Sequence, residues 1–141
     1  MIKTNELRKG NIVNHLGNFI LIESVFGDIV NVYAADMGGG AYIDGIDCKD
    51  IEPIPITPEW LNRLGFLTMD YEYDMIDWAR PDTEKRFSIS QNGIPVEKQP
   101  FLFEYENGWG DNIEVEVKHV HELQNLYFWL TSEELTIKET V

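Results

Sequence analysis

The stretch KHVHELQNLYFWLTSEEL, residues 118–135, constrains the fold more than any other passage of the chain. Wound at ~100° per residue, it places His119, Val120, Leu123, Leu126, Tyr127 and Leu130 in one broad arc. His121, Gln124, Asn125 and Phe128 fall on the opposite side, with Glu122 and Trp129 at the flank. Such a stripe predicts an amphipathic helix that must lid another layer. Thr131 and Glu134 then form a capping box for a last turn, TSEEL, and LTIK forms a final short strand.

Most of the other patterned segments repeat every second residue. In MDYEYDMIDW, Asp70, Glu72 and Asp74 share one face of a strand and Tyr71, Tyr73 and Met75 the other. RFSISQNGIPV contains Asn92-Gly93, a hairpin turn signal. FLFEYENGWGDNIEVEV reads as two strands around a glycine-rich turn. Phe101, Phe103 and Tyr105 share a face, as do Ile113, Val115 and Val117, with Glu114 and Glu116 turned outward. The second half is therefore an antiparallel sheet of about four strands with one apolar side, and the helix over 118–131 is the expected cover.

The first half reads as a β-meander. ELRKGN leads into a strand at Ile12 and Val13, HLGN turns it, Phe19 to Val25 return, and FGD turns again into Ile29 to Tyr33. This lead-in and meander predict a small SH3-like barrel. GGG at 38–40 lacks the Lys-Ser/Thr of a phosphate loop and is read as a plain loop. In DIEPIPIT, Pro53 and Pro55 confine any strand to an edge. TPEWLNRLGF is a short helix. Thr57 is its N-cap, Pro58 its first residue, Gly65 the left-handed C′ position, and Phe66 closes on Leu61. The expected organisation is α+β: an SH3-like subdomain over 1–56, a linking helix over 57–66, and a sheet with its C-terminal helix over 67–141, sharing one core.

Charge narrows the partners. Among 141 residues, 25 acids face 11 bases, a net charge of −14. Up to Phe66 there are nine acids and five bases, beyond it sixteen and six. Such a field repels phosphates and anionic lipid, so direct nucleic-acid binding is disfavoured. Cys48 is the single cysteine, which suits a reducing compartment, and no apolar run approaches membrane-spanning length. A protein of the bacterial host cytosol is expected.

Candidate chemistry is sparse. On a strand, His119 and His121 would lie side by side as metal ligands do. On a helix they point roughly 160° apart, which forbids shared ligation. The helical period begins at Val120 or earlier, so no metal is expected. The carboxylates of 70, 72 and 74 lack the spacing of a calcium loop. His119, His121 and Glu122 could act as general bases, but no nucleophile or oxyanion donor accompanies them. No catalytic residue and no cofactor is expected, and the chain is read as not an enzyme. The surplus aromatics leave two readings of the helix. It is sandwiched within the chain, or it presents His121, Gln124, Asn125, Phe128 and Trp129 as a surface for a partner or a second copy.

Three segments, NELRKGNIV, IEPIPITPEWLNRLGF and VHELQNLYFWLTSEEL, together make the chain resemble a family of small uncharacterised proteins. These are encoded by phages, prophages and mobile elements of Bacteroides-type bacteria. The chain departs from that pattern with Glu122 for Gln, Trp129 for Ala and Ser132 for Gly. The resemblance implies a genomic context and carries over no catalytic residues. Three functions follow as expectations. The first is a non-catalytic accessory protein that binds a phage or host protein. The second is an inhibitor of host defence, by carboxylate mimicry of DNA or by sequestering a small signal in a pocket drawing on Arg80, Lys85 and Arg86. The third is an enzyme of unidentified class.

Overall fold

A computed structural model of the protein describes residues 2–34, 42–72, 74–80, 87–106 and 109–137. Among the described residues, two antiparallel five-stranded sheets and two α-helices make an α+β chain, divided into two compact units.

The first unit comprises Met1–Pro55 and His119–Thr136. Its strands are β1 (Ile12–His15), β2 (Asn18–Phe26), β3 (Ile29–Ala34), β4 (Tyr42–Asp47) and β5 (Ile51–Glu52), in the order β4-β3-β2-β1-β5. Both predicted turns are two-residue loops, since His15 pairs with Asn18 and Phe26 with Ile29. Leu16 and Gly17 both have positive φ, 52° and 82°, matching the right-handed twist of the flanking strands. Val13, Ile20, Ile22, Val30, Val32 and Ile51 are buried in one cluster, the alternation that a half-buried sheet requires. Strands β1 to β3 form the expected meander, but the sheet is not closed, β4 and β5 being separate edges, and does not make the expected SH3-like barrel. β5 stops after two residues, where Pro53 and Pro55 cannot supply ladder donors. The GGG loop lies outside the described residues.

The second unit comprises Ile56–Lys118 and Ile137–Val141. Helix α1 (Pro58–Arg63) opens it. The Thr57 hydroxyl accepts from the Trp60 amide at 3.2 Å, Pro58 occupies the first turn, and the Phe66 amide donates to Leu61 at 2.8 Å across Gly65, whose φ is 92°. Trp60, Leu61, Leu64 and Phe66 are all buried. The strands are β6 (Leu67–Glu72), β7 (Met75–Ala79), β8 (Phe87–Asn92), β9 (Phe101–Glu106) and β10 (Asn112–Val117), laid out in sequential order. There are five strands rather than about four, because MDYEYDMIDW is a hairpin with Glu72 opposite Met75, not one strand. The expected Asn92-Gly93 two-residue turn is replaced by a longer connection that includes a short helical turn, Val96–Lys98. Gly93, with φ 125°, sits against Gln99, where a β-carbon would lie 2.7 Å from that side chain.

The largest correction concerns helix α2 (Val120–Thr131). It belongs to the first unit and not to the second sheet. Its start is tied there by the Val120 amide, which donates to Ile54 at 2.9 Å, and by a bridge between His119 and Pro55. The last turn ends at Ser132 in left-handed geometry, φ 61°. Residues 133–137 form neither the expected TSEEL turn nor a strand, and the remainder of LTIK lies outside the described residues.

Candidate interaction site on the C-terminal helix

A buried side-chain amide needs partners for both its oxygen and its nitrogen. This requirement explains where α2 sits. Gln124, fully buried, accepts from the Ile12 amide at 2.8 Å and donates to the carbonyls of Gly10 at 2.9 Å and Leu135 at 3.0 Å. Asn125 donates to the Glu6 carbonyl at 2.8 Å and accepts from Asn11 Nδ2 at 2.8 Å and Arg8 Nε at 3.2 Å. Residues 6–12 thus present backbone and side-chain polar groups that the amide pair Gln124 and Asn125 satisfies. The segments NELRKGNIV and VHELQNLYFWLTSEEL, at opposite ends of the chain, are hydrogen-bonded to one another through these groups.

Arg8 locks the arrangement. Its guanidinium pairs with Glu134 and lies 4.2 Å from the centre of the Phe128 ring. Gly10, with φ 96°, is held close by, and a β-carbon there would meet Glu134 Oε2 at 3.3 Å.

These contacts redraw the expected interaction surface. His121, Gln124 and Asn125 are 2%, 0% and 9% exposed, so they hold the helix down rather than meet a partner. Phe128 is half-buried under Arg8, and Trp129 alone of the five is open, at 72%. Val120, Leu123 and Tyr127, on the face expected to be buried, are indeed buried. The helix is therefore enclosed on nearly every side over its first two turns and opens only at its last. Hydropathy gave no sign of this, because Gln and Asn score as solvent-facing whether they meet water or backbone.

The two histidines also sit differently from expectation. Their ring centroids are 5.8 Å apart and nearly parallel, at 15°, instead of on opposite sides of a helix. The reason is local: His119 is the N-cap, with extended φ of −129° and ψ of 152°, so only His121 follows the helical turn. His119 Nδ1 is held by Glu122. Both ring nitrogens of His121 are buried without a hydrogen-bond partner. Burial holds the His121 pKa below the ordinary histidine value, and His119 adds to that effect against the opposing carboxylates of Glu122 and Glu6. Among the described residues, no group of three or more His, Cys, Asp or Glu is placed to hold a metal ion.

Elsewhere in the first unit a cavity of about 480 Å³ is lined by Ile2, Lys3, Thr4, Asp28, Asp47, Cys48 and Lys49. Its lining mixes carboxylates with lysines and contains no aromatic side chain, unlike a pocket built to stack a nucleobase. Of the residues named for such a pocket, Arg80 does not line this cavity, and Lys85 and Arg86 lie outside the described residues. Cys48 is 5% exposed, and its thiol donates to the Ile2 carbonyl at 3.2 Å. Burial, followed by the carboxylates of Asp28, Asp47 and Glu6, pushes the thiol pKa up, which disfavours the nucleophilic thiolate. No helix among the described residues is long and apolar enough to cross a membrane. Comparison with known protein families, with curated proteins and with solved structures finds no match.

Proposed function

We propose that this chain is a non-catalytic accessory protein, of the kind that phages and mobile elements encode, acting by contact with another protein. One observation carries the reading. Trp129 stands 72% exposed on the last turn of a helix that is otherwise held down by buried amides. An exposed indole on a rigidly anchored element is a low-entropy contact residue, the kind that dominates protein interfaces. The anchoring supports the same view, because Arg8 over Phe128 fixes the neighbouring ring in place. Two side chains suited to chemistry are held in structure: Cys48 is buried with its thiolate disfavoured, and His119 is engaged by Glu122.

The test uses the tagged full-length chain as bait in lysate of the bacterial host, beside its Trp129→Ser variant. A protein retained by the first and lost by the second, with unchanged thermal unfolding of the bait, supports the reading. Retention of the same proteins by both baits overturns it. Sedimentation of both forms separates capture of another protein from self-association through the same helix end.

A further inference from the structure

Among the described residues, each sheet ends in two edge strands, and three of the four are blunted by their length or by a bulge. β5 is only two residues long. The pairing of β4 with β3 breaks register between Val30 and Val32, and that of β6 with β7 breaks between Thr68 and Asp70. Short edges and bulges hinder any further strand from adding, whereas charged side chains on an edge turn away chiefly strands of like charge. β10 has neither. It runs from Asn112 to Val117 in unbroken register with β9, and its residues 112–116 are all exposed. Such a strand presents a row of outward N–H and C=O groups, the template for strand addition.

The side chains at this edge state what would fit. On one face Ile113 lies opposite Tyr105 and Val115 opposite Phe103, carrying the apolar side of the sheet out to the rim. On the other, Glu114 lies directly opposite Glu104, with Glu116 and Glu106 on the same side. No ion pair among the described residues engages Glu104, Glu106, Glu114 or Glu116. Burial chiefly, and then the nearby Glu114 and Asp77 carboxylates, raises the pKa of Glu104. A second copy pairing here would set glutamate beside glutamate, which destabilises a strand pair, whereas opposite charges stabilise it.

We propose that β10 is the docking edge for an extended segment of another protein, one that carries Lys or Arg at alternate positions and apolar side chains between them. The segment adds as a sixth strand. Its cations lie over Glu114 and Glu116, and its apolar side chains extend the row of Ile113 and Val115. This site lies in the second unit and does not depend on Trp129.

The probe is a short peptide alternating Lys and Val, added to the isotopically labelled full-length protein and followed by amide hydrogen exchange. Slowed exchange at backbone amides within residues 112–117 is expected, with affinity falling as salt rises. The Glu114→Gln, Glu116→Gln double variant should bind about tenfold more weakly, the scale of two partly exposed charge pairs. Its unfolding temperature, measured alongside, reports that the sheet is intact. Three results would overturn the proposal. One is equal binding by a peptide alternating Glu and Val. Another is equal binding by a Lys–Val peptide with alternate amides N-methylated, which reveals charge adsorption without strand pairing. The third is protection of residues 112–117 in a dimer formed without any peptide.

Discussion

Ile12 and Gln124 lie 112 positions apart in the chain and are joined by a hydrogen bond of 2.8 Å, with the Ile12 amide donating to the glutamine side chain. The same side chain serves the carbonyls of Gly10 and Leu135, so one buried amide ties together the start of β1, the helix and the segment that follows it.

Gln124→Leu should accordingly be among the most damaging single changes in the helix. It keeps similar bulk but leaves one backbone donor and two backbone acceptors without their partner. At about 1–3 kcal/mol for each buried polar group left unsatisfied, a loss of about 3 kcal/mol or more is expected. Urea unfolding measures it, and a loss below 1 kcal/mol (about the value of one ordinary hydrogen bond) would contradict the clasp.

Two described residues other than glycine hold positive φ, Leu16 at 52° and Ser132 at 61°. Left-handed geometry costs a residue with a β-carbon roughly 1 kcal/mol, and Leu16 is moreover 82% exposed at the tip of its turn. Ser132→Gly and Leu16→Asn should each raise stability by about 0.5–1 kcal/mol. Thermal unfolding should shift upward by a few degrees for each, and additively, since the sites lie in separate turns.

His121 should make the fold sensitive to acid. Its folded-state pKa is depressed, chiefly by burial, so the unfolded chain binds more protons in the window just below the ordinary value of about 6.5. The contribution of the neutral ring is complete above that value and is lost as the pH falls toward the folded-state pKa. His121→Leu removes two unpartnered ring nitrogens and should flatten the slope of stability against pH just below about 6.5. Denaturation curves of both forms across that range check it.

Glu104 predicts the opposite sign. Its pKa is raised, so the folded state holds the proton more tightly and stability declines as the pH rises through the carboxylate range. Glu104→Gln keeps one carbonyl acceptor and offers its NH2 to the other serine hydroxyl, while removing the charge facing Glu114. It should unfold at a higher temperature than the parent at pH 7, and the gain should vanish below about pH 4, where the carboxyl is already neutral.

Trp129→Ala should change unfolding free energy by no more than about 0.5 kcal/mol, because the indole is largely in water. Thermal and urea unfolding of the variant measure this directly. A large loss would show that the ring is packed and would remove the basis for its role at an interface.

Local chemistry was readable along the chain wherever the deciding atoms are neighbours in sequence. Thr57, Pro58 and Gly65 determined both ends of α1, since a cap and a C′ turn are satisfied within a few residues. The two tight turns of the first sheet and the alternating faces of β9 and β10 follow from the same short-range rules. What tertiary structure alone decided is which surface α2 covers and that the polar side of its first turns is buried as well. Hydropathic period ranks side chains by their aversion to water, but Gln124 and Asn125 are buried through specific partners at Glu6, Gly10, Asn11 and Ile12. The proximity of His119 and His121 arose similarly from a single extended residue at the helix start, which a continuous helical wheel does not represent. Sequence specified the elements through local geometry. Pairing between distant segments, set by hydrogen-bond complementarity, specified where the helix lies and what it leaves exposed.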